Sequence, residues 1–236
     1  MATATPLFLN VPPRSRERAP VIGTAAQVLA ALRTSALPAD PPHGLVVLSG
    51  HPAVYRLGLC AAVDRALAGE PVLYLAGANV FDPFLVGRLA KAARVAPAQV
   101  LQRLHVSRAF TCHQMVRLVT DCLPSALRTY DARVVVLSGP LETLYDQSVP
   151  EQEALRLFRT MLGALQRLVQ DGVHLLCVSP LPTVASPARR NFLATLQAQA
   201  PRAIDVLDGE DGIRLDERSG PDTRRWTIPR TVWTRL

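Results

Sequence analysis

Lysine is almost missing from this chain. Lys91 is the single lysine among 26 basic Lys and Arg residues, in a sequence of 236 residues with a formal net charge of +7. A GC-rich genome that favours Arg codons accounts for the bias. A phosphate-binding surface is the functional alternative, because Arg forks onto phosphate oxygens. The excess positive charge permits contact with nucleic acid. Aromatic residues are scarce too, at 5%. The four cysteines, Cys60, Cys112, Cys122 and Cys177, form no C-x-x-C pair. That excludes zinc-ribbon and dithiol redox motifs, and buried free thiols in a reducing compartment are expected. The histidines, His43, His51, His105, His113 and His174, show no His-x-x-x-His or triad spacing. No apolar run is long enough to span a bilayer. The first twenty residues carry no charged segment ahead of an apolar one, so no secretory signal is read. A soluble, cytoplasmic protein is expected.

Apolar residues, by contrast, make up 49% of the chain, enough to build a full core. Residues 1–20 are rich in Pro, Ser and Arg, and "GTAAQVLAALRTSAL" follows with helical spacing. Residues 1–42 are therefore read as an N-terminal arm with a short helix, and 43–236 as the core domain. Within the core, strand-like runs at 44–50, 72–77, 103–109, 132–139 and 173–180 alternate with helical stretches. Near-continuous apolar strands separated by helices indicate an α/β fold with a mostly parallel sheet covered on both faces. The tail reads as a hairpin through "DGEDG", and "RRWTIPRTVWTRL" as one more strand. Alternation in that strand places Trp226 and Ile228 on one buried face.

The first strand leads into a telling stretch. "VVLSGHPAVYRLGLCAA" has the outline of a phosphate-binding P-loop, G-x-x-x-x-G-K-[ST] between strand and helix. Gly50 opens it. Tyr55, Arg56 and Leu57 then stand where the second Gly, the Lys and the Ser/Thr belong. Such a loop needs glycine at positive φ, where Tyr55 would cost about 1–2 kcal/mol. Arg56 keeps the charge of Lys but is bulkier and planar. Leu57 offers no oxygen to Mg²⁺.

Four segments in order resemble the core of the RecA superfamily, and most of all its archaeal RadA-type recombinases. "PVLYLAGANVFDPFLVGRLAKAARVAPAQVLQRLHVSRAF" is the strongest match, with Tyr74, Phe81 and Pro83 in register. "ARVVVLSGPLETLY" is similar to the Walker-B strand and its exit. "ALRLFRTMLGALQRLVQDGVHLLCVSP" is similar to the next helix and strand. The resemblance implies a RecA-like sheet with a C-terminal β-hairpin extension, over about residues 43–216. It also implies a ruined nucleotide site. The family's catalytic Glu falls at Ala78, its Walker-B Asp at Ser138, and its Asn-Gln sensor at Ser179-Pro180. Glu142 is read as a carboxylate at a helix start without an orienting partner.

With base, metal ligand and phosphate nest lost together, the chain is expected to be a pseudo-ATPase that needs no cofactor, ATP and Mg²⁺ included. It resembles the non-catalytic paralogues that assist recombinases, and ImuA- and SulA-type RecA-like proteins. The expected function is accessory, in DNA repair or recombination. Expected partners are a recombinase or a DNA polymerase-type protein, single-stranded DNA, and further copies in a homo- or hetero-oligomer. An atypical ATP-binding ATPase or nucleotide switch is the alternative.

Two segments are candidates for DNA contact. Arg189, Arg190 and Phe192 place a basic pair beside an aromatic, a combination that grips phosphates and stacks a base. Arg224 and Arg225 lie beside Trp226 in the tail. A solvated helix turn and an edge strand are the structural alternatives. Phe8, in the arm, matches only loosely the Phe with which recombinases of this family join neighbouring protomers.

Overall fold

A computed structural model describes residues 24–35, 44–183, 186–220 and 222–236. Phe8 and most of the N-terminal arm lie outside the described residues. In chain order the elements are α1 (Ala25–Ser35), β1 (Leu45–Gly50), α2 (Ala53–Leu67), β2 (Val72–Ala76), α3 (Pro83–Ala92), α4 (Pro97–Leu101), β3 (Leu104–Arg108), α5 (Cys112–Arg117), α6 (Leu123–Thr129), β4 (Val134–Ser138), α7 (Glu151–Gln170), β5 (His174–Pro180), α8 (Pro187–Ala198), β6 (Arg202–Gly209), β7 (Gly212–Ser219), β8 (Asp222–Pro229) and α9 (Arg230–Trp233). The fold is α/β. One mixed sheet runs in the order β3-β2-β4-β5-β1-β6-β7-β8. Every pairing from β3 through to β6 is parallel, and β7 is antiparallel to both its neighbours.

Strand alternation sorts the core into two layers. Val46, Leu48, Val72, Tyr74, Val134, Val136, Leu176 and Val178 face one way, against α1 to α4. Leu45, Val47, Leu73, Leu75, Val135, Leu137, Leu175 and Cys177 face the other, against α5 to α8. Strands with helices on both faces carry no polar side, which is why their sequences read as unbroken apolar runs. In α7 the buried residues Ala154, Leu157, Phe158, Met161, Ala164, Leu165 and Leu168 recur every three or four positions, as a one-sided helix requires.

Close packing fixes α2 on the sheet. A methyl group on Gly58 would stand 2.6 Å from Val178 Cγ2, so only glycine lets the helix approach β5 this closely. On the outer side of α2 lies α1, with Val28 and Leu32 fully buried. Arg33 reaches from α1 to the buried Asp64 carboxylate in two hydrogen bonds of 2.8 and 2.6 Å.

The tail departs from expectation in one respect. Trp226 and Ile228 are buried together, opposite Leu215 and Ile213. But the strand stops at Pro229, and Arg230–Trp233 turn into a short helix. Pro229 lacks the N–H a continuing strand needs and suits the position before a helix. Beyond it Leu236 is buried, and its carbonyl accepts from Arg88 at 3.2 and 3.1 Å. Among the described residues, no helix is long and apolar enough to cross a membrane.

Candidate functional site

The ends of β1, β2, β4 and β5 meet at one margin of the sheet. Gly50 closes β1 with φ +123°, and a methyl there would lie 2.1 Å from Val206 O. The chain then turns at once into α2. His51 N donates to Val206 O at 2.8 Å, Val54 N to His51 O at 3.0 Å, and Tyr55 N to Pro52 O at 3.2 Å. Ala53 N donates to the His51 Nδ1 atom at 3.2 Å. Pro52 has no amide. Each amide from His51 to Tyr55 is thus committed, His51 to β6 and the others within the turn. A phosphate nest needs such amides free and convergent.

The early start of α2 corrects one expectation. Tyr55 does not sit at positive φ, where it was expected to be strained; it lies in the first turn of a helix. The described non-glycine residues with positive φ are Arg94 and Asp131. Because α2 begins at Ala53, Tyr55 is helical and carries no such strain.

Glu142 corrects another, for it does have a partner. The Tyr55 phenol is its electrostatic neighbour. Burial pushes the Glu142 carboxyl above its usual range, with the Tyr55 phenol opposing. Burial likewise raises the Tyr55 phenol, helped by the Glu142 charge. Around them the Tyr74, Ser138, Thr143 and Tyr145 hydroxyls are buried without a well-formed hydrogen bond. Tyr74 is pushed up to about 12 by burial, the neighbouring Ser138 hydroxyl opposing.

The remaining positions of the expected nucleotide site hold the scaffold together. Arg56 turns away from the margin. Its guanidinium carbon lies 5.2 Å from the Trp233 ring centroid, and its Nη1 donates to Trp233 O at 3.4 Å. Leu57 is fully buried in the core. The amides of Gly77 and Ala78 both donate to Ser138 O, at 2.8 and 3.3 Å. Ser138 itself is fully buried.

The basic candidates are divided by the fold. Arg189 is only 4% exposed, and its guanidinium donates to the Asp146 and Val149 carbonyls. Phe192 is 2% exposed. It stacks on Phe158 at 4.5 Å and on Tyr145 at 6.2 Å. It presents no free face to a base, so both residues serve packing. Arg190 is exposed. Arg224 is exposed as well, whereas Arg225 pairs with Asp216 at 2.9 Å.

Two features escaped the sequence reading. Cys112 Sγ lies 3.6 Å from His113 Nδ1, and His113 Nε2 lies 2.8 Å from Glu153 Oε1. The outline is that of a nucleophile with its base, but Cys112 is 1% exposed. Burial also pushes its thiol up, which disfavours the reactive thiolate.

The second feature is a groove of about 350 Å³ along β3, the strand at one edge of the sheet. Its walls include Leu73, Leu75, Val106, Leu118, Cys122 and Ala126. His105 and Tyr130, stacked at 3.7 Å, also line it. The strand beside it has an open edge. Arg103 O accepts from Val72 N, and Ala109 N donates to Ala76 O. By alternation, Leu104, Val106 and Arg108 turn their N–H and C=O groups outward, away from β2. The edge was hard to foresee, because strand order is a long-range property.

Compared with known protein families and with curated proteins, the chain matches none.

Proposed function

We propose that the chain is a non-catalytic, RecA-like accessory protein of DNA repair or recombination, which works by docking to a recombinase or polymerase-type protein or to a second protomer. Support comes first from position. The segments that resemble the recombinase P-loop, catalytic-Glu, Walker-B and sensor strands are β1, β2, β4 and β5, and they end side by side. One observation carries the reading: each backbone amide from His51 to Tyr55 is already bonded, to Val206 of β6 or within the turn itself, so none is free for a phosphate. A scaffold of this kind offers surfaces rather than chemistry. The β3 edge with its apolar groove is such a surface, suited to an extended segment that adds as a strand and seats a side chain. A Phe-bearing arm such as the one around Phe8 is the kind of segment the resemblance implies.

The experiment is direct. Wild-type protein should form a complex with a purified recombinase or polymerase-type partner in the absence of nucleotide and DNA, and Val106→Asp should abolish it. Saturable MgATP binding or hydrolysis by the wild-type chain would overturn the reading. Single-stranded DNA is the second proposed ligand, through the exposed Arg190 and Arg224.

A further inference from the structure

Two phenylalanines stand in solvent at the carboxyl end of the sheet. Phe84 is 78% exposed and Phe110 is 72% exposed. Phe84 follows β2 and Phe110 follows β3, and those two strands are parallel neighbours. The backbone beneath both rings is fixed. Ala109 N donates to Ala76 O at 2.9 Å, and Phe110 N to Gln114 Oε1 at 2.8 Å. The Thr111 hydroxyl then caps α5, accepting from Gln114 N at 3.2 Å. On the other loop the Asp82 carboxylate accepts from Phe84 N and Leu85 N at 2.9 and 3.0 Å. Phe81 shows the contrast. It precedes the cap of α3 and packs on the core, its ring 5.3 Å from that of Tyr74. Phe110 holds the same place before the cap of α5, where a ring commonly folds back onto its helix, yet it stays outside.

Cations accompany the rings. Arg108 is exposed and donates to a neutral partner, Asn79 Oδ1, at 3.2 Å, which ties the two loops together and leaves its charge uncompensated by that contact. On α3, Phe84, Arg88 and Lys91 recur at i, i+4 and i+7, one face of a helix, and all three are exposed. Arg88 lies 3.7 Å from Asp82. From Asn79 to Lys91 and from Arg108 to Gln114, Asp82 is the sole carboxylate against Arg88, Lys91 and Arg108.

We propose that Phe84 and Phe110 are stacking platforms for the unpaired bases of a single-stranded nucleic acid, with Arg108, Arg88 and Lys91 along its phosphates. Such a ligand offers a flat face at every base and a charge at every link, which exposed rings interleaved with cations match. A protein partner matches the rings but leaves the cations without a counterpart. The inference rests on the reading that a single strand is a ligand of this chain, and it seats that strand on residues other than Arg190 and Arg224.

Two fluorescent oligomers of equal length test it, one of thymidylate and one abasic, with the same phosphates. Wild type should bind thymidylate about tenfold more tightly. Phe84→Ala with Phe110→Ala should abolish that preference and leave the abasic affinity near wild type, with the melting temperature retained. Arg108→Ala should weaken both oligomers alike and lower the slope of log affinity against log salt by about 1. Lys91 is the single lysine of the chain, so acylation of its amine, read by mass spectrometry, reports on the strip directly. Thymidylate should slow that acylation in wild type. Binding of neither oligomer by wild type overturns the inference together with the single-strand reading. Equal affinity of wild type for both, a base preference that survives in the double variant, or acylation of Lys91 at an unchanged rate overturns the inference alone. A double variant that loses a recombinase-type partner and keeps the base preference assigns the strip to protein. If the double variant fails to fold, Phe110→Ala and the Lys91 measurement decide.

Discussion

The Tyr55 phenol, in the first turn of α2, and the Glu142 carboxyl, in the turn that leaves β4, are half-buried electrostatic neighbours. By the resemblance described above, Tyr55 occupies the place of a phosphate-loop glycine. Glu142 is half-buried beside it.

The pH dependence of stability should report on the burial of Glu142. Burial raises the Glu142 carboxyl above its unfolded value, so the folded state binds a proton more readily than the unfolded one. The resulting contribution is complete below the unfolded value of about 4.3 and is lost as pH rises through the folded value. Glu142→Gln carries no charge. Its stability relative to wild type should therefore increase between about pH 4 and pH 7. Urea denaturation across that range checks it, and a difference that stays flat with pH refutes it.

Restoring the motif should not restore the site. A Tyr55→Gly, Arg56→Lys, Leu57→Thr variant regains the side chains of a phosphate loop, but the amides of the turn stay committed to Val206, His51 and Pro52. Leu57→Thr also places a hydroxyl at a fully buried position, at a cost of about 1–3 kcal/mol. Melting in millimolar MgATP should leave both wild type and variant unshifted. Stabilisation of the variant by nucleotide would show that sequence alone closed the site.

Glycines at the two ends of α2 should behave differently. Gly50→Ala drives a methyl into Val206 O at positive φ and should cost about 3 kcal/mol. Gly69 has φ +97° but nothing within 4 Å of a new methyl, so Gly69→Ala should cost only about 1 kcal/mol. Equal losses in denaturant titrations would contradict the close approach of β1 to β6.

Basic residues should separate by role. Phe192→Ala opens the core beneath α8 and should cost about 3–5 kcal/mol, whatever DNA does. Arg190→Ala with Arg224→Ala should leave the melting temperature unchanged while weakening single-stranded DNA binding. The slope of log affinity against log salt should fall by about 1–2. A slope equal to wild type removes both arginines from the interface.

Much of the fold was legible because its signal is local. The four buried strands β1, β2, β4 and β5 announce themselves as apolar runs, and α7 by its three-and-four spacing. Glycine and proline punctuation located the turns. What stayed hidden depends on partners distant in sequence. Nothing near Glu142 names Tyr55, 87 positions earlier by their numbers. Arg189 and Phe192 look like a nucleic-acid motif until the turn at Asp146–Val149 and the Phe158 ring are placed beside them.

Gly58 has a wider implication. Its closeness to Val178 seats α2 on β5 through backbone and aliphatic carbon alone. The seat does not depend on the side chains ahead of Gly58, so substitutions in the turn from His51 to Tyr55 leave the helix moored where it is.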